Sequence, residues 1–252
     1  MSAVLVTGAT AGLGWHTARL LGRAGWAVLV HGRSRPGAES AARRLGQLDP
    51  AGVYRPVAAD FDSLAAVAAL AAEVGEVDAL VNNAGLLKTA GRQLTADGHE
   101  LHWGVNYLAS ALLTTMLPAR RVVSVCSTMP LPGGPRWHDP ELREGWDPRV
   151  AYAQSKIALA MFTLDRPGAA CVSPGYVDTK LVRDAFGGAT VPASTGAAYI
   201  AALLTDPDLL AATGCFADRD RLVDPPAPAG DPAARRRLAE LTAPQLISGA
   251  RT

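Results

Sequence analysis

"AVLVTGATAGLG", residues 3–14, decides the fold. Ala3 to Val6 run apolar without alternation, as a strand buried on both faces does. The chain then turns through Thr7 and Gly8 and enters "LGWHTARLLGRAG", a segment of helical composition. Gly8 permits a tight turn, Gly12 lets a phosphate approach the backbone, and Gly14 removes a side chain where helix and strand pack. The helix start then offers N–H groups and a positive dipole end to a pyrophosphate. A glycine pattern alone is a weak signal, since a plain glycine-rich turn looks the same. The strand–turn–helix setting points it to a dinucleotide.

Working outward, similar runs recur: "AVLVHG" (27–32), "VYRPVAAD" (53–60), "VDALVNNAG" (77–85), "RVVSVCS" (121–127), "AACVSPG" (169–175) and "GCFAD" (214–218). Between them lie Ala- and Leu-rich segments suited to helices, such as "SLAAVAALAAEVG" and "GHELHWGVNYLASALLTTML". This alternation predicts an α/β fold: a Rossmann-type, doubly wound parallel sheet of about seven strands with helices on both faces. No repeat or linker divides the chain, so residues 1–252 are expected to form a single domain. Proline and glycine concentrate at 128–149, 187–196 and 223–232. The first two read as loops at the working edge of the sheet. The third leads to a last helix, "DPAARRRLAELTAPQL".

Composition excludes several classes. The 24 basic and 23 acidic residues nearly cancel, which leaves no field of one sign for nucleic acid or an anionic membrane. No apolar stretch reaches the roughly 18 residues that span a bilayer. Cys126, Cys171 and Cys215 are widely spaced in apolar runs and read as buried thiols, not as a disulfide framework. No basic leader precedes the first strand. The expectation is a cytoplasmic protein. His138 has no partner set, and no metal is assigned.

Two further places carry chemistry. A cofactor with two free ribose hydroxyls usually meets an acid at the end of the second strand. Here Gly32 holds that place, and Arg33 and Arg35 follow. Guanidinium suits a 2′-phosphate through charge and bidentate hydrogen bonds; two solvated loop arginines are the bland reading. Asp60 closes the third strand, placed to cap a helix or accept from adenine. The second place is "YAQSK", 152–156. Only three of the 24 basic residues are lysines, Lys88, Lys156 and Lys180. One of them stands four residues after a tyrosine, on the same helix face.

In its motifs and their order the chain resembles the short-chain dehydrogenase/reductase family. The matching residues are Gly8, Gly12 and Gly14, "NNAG" (82–85), Asn106 in "GVNYL", Ser127, Tyr152 and Lys156, and "SPGYVDT" (173–179). Within the family, "GVNYLASALLT", "AYAQSK" and the long gap from Ser127 to Tyr152 look most like the retinol dehydrogenase and protochlorophyllide reductase branch.

The resemblance implies an NADP(H)-dependent oxidoreductase that interconverts a carbonyl and an alcohol. Tyr152 is then the general acid/base, Lys156 lowers its pKa and holds the ribose, Ser127 polarises the substrate oxygen, and Asn106 helps hold a relay water. An adjacent ammonium would favour the phenolate, whose reference pKa is about 10. Ser124 competes with Ser127 but lies on the opposite face of its strand. The implied cofactor contacts are Thr7, Gly8, Gly12, Leu13 and Gly14, with Arg33, Asp60 and Phe61 on the adenosine side. Asn83, Ala84 and Gly85 follow, then Tyr152, Lys156, Pro174, Gly175, Val177 and Thr179 beside the nicotinamide. Residues 180–195 are expected to form a lid.

The loop 128–150 carries Met129, Leu131, Trp137, His138 and Trp146. Folded over the site, it would favour an apolar or aromatic substrate; folded away, its tryptophans would cover the core edge. A non-catalytic dinucleotide sensor or scaffold is the competing function, but it needs none of Asn106, Ser127, Tyr152 and Lys156. A nucleotide-sugar epimerase shares the Tyr–Lys pair but leaves "SPGYVDT" unexplained. The helices carrying Asn106 and Tyr152 are each about two turns shorter than in the family. Family members commonly dimerise through these helices, so a monomer or an atypical dimer is expected.

Overall fold

The computed structural model describes residues 1–211 and 213–250. The opening run forms β1 (Ala3–Val6), and the glycine turn leads into α1 (Gly12–Arg23). There follow β2 (Ala27–Gly32), α2 (Arg35–Leu48), β3 (Val53–Ala58), α3 (Leu64–Val74) and β4 (Val77–Asn82). Ser34 and Ser63 start α2 and α3 with side-chain caps on the amides of Gly37 and Ala66. The Asn106 helix begins with a π-helical segment (Trp103–Leu108) and continues as α4 (Ala109–Met116). Then come β5 (Ala119–Val125), α5 (Pro148–Leu164) and β6 (Ala169–Ser173). Asp147 caps α5, accepting from the amides of Arg149 and Val150.

The remainder is β7 (Val177–Asp178), α6 (Lys180–Phe186), β8 (Val191–Pro192), α7 (Ala193–Thr205) and α8 (Pro207–Ala211). Strands β9 (Cys215–Asp218) and β10 (Arg221–Val223) precede α9 (Pro232–Ala250). The main sheet runs β10-β9-β6-β5-β4-β1-β2-β3. Every pairing in it is parallel except β9 with β10. Strand order reverses between β4 and β1, and in such sheets the ligand crevice lies there, outside the carboxyl ends of the strands.

Alternate residues of β1 feed the two cores. Val4 and Val6 pack with Leu21, Val28 and Ile200 on the side of α1, α2 and α7. Leu5 packs with Leu70, Leu80, Leu112 and Leu159 on the side of α3, α4 and α5. Helix α9 covers this second layer with Ala234 and Leu238. Tyr107 and Thr242 share a hydroxyl hydrogen bond of 2.9 Å, and Trp103 Nε1 donates to Gln245 Oε1 at 3.4 Å. Among the described residues no helix is long and apolar enough to cross a membrane.

The expected fold class holds with one strand beyond the seven or so expected, and one expectation needs correction. The sheet has eight strands, because "RLV" adds an antiparallel edge. All three of its residues are exposed, so no hydrophobic pattern marked it. The segment expected to be lid as far as residue 195 ends earlier: α7 begins at Ala193 and buries Ala193, Gly196 and Ala197.

Candidate active site

Thr7 stitches two strand ends together. Its hydroxyl donates to the Val81 carbonyl at 3.1 Å and accepts from the amides of Asn83 and Ala84, each at 2.9 Å. Asn83 replies, donating from Nδ2 to the carbonyls of Thr7 (2.7 Å) and Gly8 (3.3 Å). Gly8 turns with φ +65°, and a Cβ there would sit 2.9 Å from Ala84 Cα. A Cβ on Gly14 would lie 2.4 Å from Asn83 Nδ2. Both glycines are therefore required by close approach. Gly12 differs: with φ +56° it needs glycine for its backbone, while its Cβ position is open except for Thr179 at 3.7 Å.

A cavity of about 300 Å³ opens beside this turn. Gly8, Gly12, Leu13, Gly14, Asn83, Ala84 and Gly85 form one wall. Ser127, Tyr152 and Lys156 form the second, and Pro174, Gly175, Val177 and Thr179 the third. A second cavity of about 460 Å³ holds Arg33, Asp60 and Phe61 and shares Gly8, Ala84 and Gly85 with the first. Lys180 and Leu181, at the start of α6, line both. The two cavities thus adjoin under α6. The fold brings together the predicted residues except Thr7, which acts from behind the turn, and Asn106.

Asn106 lies fully buried behind the cavity wall. Its Oδ1 accepts the Leu86 amide at 2.8 Å, and its Nδ2 donates to the Leu86 carbonyl and Ser155 Oγ, each at 3.0 Å. The side-chain amide holds the loop after β4, and its Oδ1 lies on the same side of Gly85 as Lys156 Nζ, each 3.2 Å from where a Cβ on Gly85 would stand. The π-helical turn beneath it is a geometry often found at functional sites.

Ser127 Oγ accepts the Met129 amide at 3.1 Å and stands beside the Tyr152 phenol, whose ionised form its hydroxyl favours. Ser124 instead joins Asn82 (3.3 Å) and Thr163 (2.8 Å) in the core, as its opposite strand face requires. Lys156 donates from Nζ to the Val125 carbonyl at 2.8 Å and lies 6.0 Å from the Tyr152 ring centroid. The expected lowering of the phenol's pKa is not seen. Burial pushes Tyr152 up to about 12, the nearby Cys126 thiol adds to this, and the Ser127 hydroxyl only partly opposes it. Burial also lowers Lys156, which weakens the hold of its positive charge.

Of the two arginines after β2, Arg35 is occupied by Glu39 (3.3 Å) and Glu73 (3.4 Å), whereas Arg33 lines the second cavity and makes no ion pair among the described residues. A Cβ on Gly32 would meet Thr10 Cγ2 at 2.6 Å and the Ala38 amide at 3.3 Å, so a side chain there would have to displace Thr10. Asp60 caps its own turn, accepting the Asp62 amide at 3.1 Å, while Ser63 caps α3.

The tryptophans of the 128–150 loop cover the core edge. Trp146 Nε1 donates to buried Glu100 at 3.1 Å, and Trp137 packs beneath Arg237 and against the core of α4 and α5. Neither lines the cavities, so the apolar or aromatic substrate inferred from them loses its ground. Residues 180–183, the start of the expected lid, line the site; sequence reading missed Cys126, which also lines it, and His31, which lines the second cavity. The apolar run of β5 hid Cys126. A lone histidine inside an apolar strand was the available signal for His31.

Residues 2–138 match the model of the short chain dehydrogenase family. Over 206 residues the chain is 37% identical to a polyprenol dehydrogenase of Mus musculus, covering 72% of this chain and 61% of that protein. Over 203 residues it is 36% identical to retinol dehydrogenase 12 of Bos taurus, covering 73% and 64%. The chain thus spans less than two thirds of the length of these relatives. A solved structure of an uncharacterized protein from Mycobacterium Paratuberculosis matches with a TM-score of 0.82 at 30% identity, over 98% of this chain and 94% of its own. A landomycin C-6 ketoreductase solved with bound NADP and rabelomycin matches at 0.65 and 25% identity, over 86% and 94%. The family match runs through more than half of the chain and the relatives agree with it: the chain belongs to the short-chain dehydrogenase family, in its retinol dehydrogenase-like branch.

Proposed function

We propose that this protein is an NADP(H)-dependent oxidoreductase that interconverts a ketone or aldehyde and the corresponding alcohol. The observation that carries the reading is the meeting of Ser127, Tyr152 and Lys156 on one cavity with the glycine turn. Unpaired Arg33 on the adjoining cavity supports NADP(H) over NAD(H), as does a glycine, Gly32, where an acid would stand. The dehydrogenase names of its relatives, and the NADP bound by one structural neighbour, agree with it.

The glycine turn and the first amides of α1 would take the pyrophosphate, Arg33 the 2′-phosphate, and Lys156 the nicotinamide ribose. Bound there, the nicotinamide supplies or takes up the hydride. Ser127 Oγ orients the substrate oxygen toward Tyr152. In reduction the Tyr152 hydroxyl gives its proton to that oxygen; in oxidation the phenolate takes the proton back. Lys156, close to the ring, stabilises that phenolate by its charge. Pro174, Val177 and Leu181 give the cavity apolar surface.

The test is NADPH consumption with a panel of ketones and aldehydes, run beside Tyr152→Phe. Turnover that is lost in the variant supports the proposal. NADPH binding without turnover of any carbonyl would instead favour the non-catalytic reading.

A further inference from the structure

His31, near the end of β2, is buried, titratable and unused by the proposed chemistry. It holds the glycine turn at two points. Its Nδ1 accepts the Gly8 amide at 3.0 Å, and its backbone carbonyl accepts the Ala9 amide at 2.8 Å. The other ring nitrogen, Nε2, reaches the Ala59 carbonyl at 3.0 Å. A carbonyl only accepts, so Nε2 carries the hydrogen and Nδ1 is the free acceptor. The imidazole is neutral in this tautomer, and burial holds its pKa down at about 4. Its ring also stacks at 4.7 Å on Phe61, which lines the second cavity.

From this we infer that His31 is a positioning residue for the cofactor: its Nδ1 fixes the Gly8 turn in the shape that receives the pyrophosphate. The argument rests on the dinucleotide reading of the two cavities. Gly8 sits between Ala84 on one side and His31 on the other. Its positive φ leaves the turn few ways to satisfy that amide. Without an acceptor at Nδ1 a buried N–H goes unpaired, and the turn relaxes to find another partner. The amides of Gly8 and Ala9 are spent on His31, so anion binding falls to the first turn of α1, whose Ncap residue Ala11 offers no side-chain cap.

Two isosteric variants separate positioning from mere packing. In His31→Asn, Oδ1 takes the place of Nδ1 and can accept the Gly8 amide. In His31→Gln, the longer amide reaches the place of Nε2 and can serve Ala59 but not Gly8. Measured by fluorescence titration, the NADPH dissociation constant of His31→Asn should stay within about threefold of wild type, and that of His31→Gln should rise about tenfold or more. The expected pattern holds at matched melting temperatures. Equal weakening in both variants, in step with lost melting temperature, would overturn the assignment and leave His31 a packing residue. Nitrogen NMR of the wild-type imidazole is independent of either variant's folding. Protonated Nε2 and bare Nδ1 at neutral pH are expected, and the opposite tautomer overturns the proposal. Wild type that binds no NADPH at all would overturn the dinucleotide reading itself, and this inference with it.

Discussion

Lys156 Nζ lies 6.0 Å from the centre of the Tyr152 ring but gives its hydrogen bond to the Val125 carbonyl, at 2.8 Å. The ammonium thus faces the strand end while the phenol faces Ser127. As the side chains stand, burial outweighs the help of the Ser127 hydroxyl and holds the Tyr152 phenol above its usual range, at about 12.

The first prediction follows from that state. Replacing Tyr152 by Phe should lower carbonyl reduction by about 10² to 10⁴, the usual worth of a general acid. The NADPH dissociation constant should barely change. A variant that keeps a third of wild-type rate would remove Tyr152 from the acid's role.

A second prediction concerns ionisation. With Tyr152 pushed up to about 12 by burial, the protein without added cofactor should show no Tyr152 phenolate at neutral pH. The ultraviolet difference between wild type and Tyr152→Phe, followed with pH, reads this directly. A tyrosinate signal assigned to Tyr152 below the reference value of about 10 would contradict it.

Cofactor choice supplies a third. Arg33→Ala should weaken NADPH about tenfold or more relative to NADH in kcat/KM, the worth of a charge-assisted hydrogen bond. Arg35→Ala should do little, because Arg35 is held by Glu39 and Glu73. Equal wild-type values for the two cofactors would sink the Arg33 assignment.

His31 gives a pH dependence of stability. Its folded value of about 4 lies below its usual 6.5, so its contribution is present above pH 6.5 and is lost as the pH falls through 4. Asp60 pulls the other way, favouring the charged imidazole, and Arg33 and Asp62 line the same cavity. Urea unfolding should therefore show wild type losing on the order of 3 kcal/mol more than His31→Asn between these limits. Parallel losses in both proteins would mean that His31 is not the group responsible.

Oligomeric state is the last. We predict a monomer in light scattering at micromolar concentration, because α9 lies on the α4 and α5 layer and fills it from within the chain. A dimer packed through α4 and α5 would need α9 displaced, and its discovery would refute this.

The parallel strands were legible because buried runs such as "AVLV" and "VDALV" carry their own signature, and the glycines because a tight turn admits nothing else. What escaped was set by contacts distant in sequence. Whether Trp146 faced the cavity or the core depended on Glu100. Arg33 and Arg35 read alike until Glu73, on α3, claimed one of them. Asn106 was found by resemblance, but the use of its amide was decided by the backbone of Leu86. Helix α7 was hidden because its first turn, "ASTG", has the composition of a loop.

Helix α9 also sets an order on biosynthesis. It leaves the ribosome after every element it covers, so Trp103, Tyr107 and the apolar side of α5 wait uncovered until it is made. The nascent sheet can pair, but its outer layer stays sticky until α9 closes over it. A stall upstream of Pro232 should leave a chain that chaperones hold, and release of α9 should be the event that frees it.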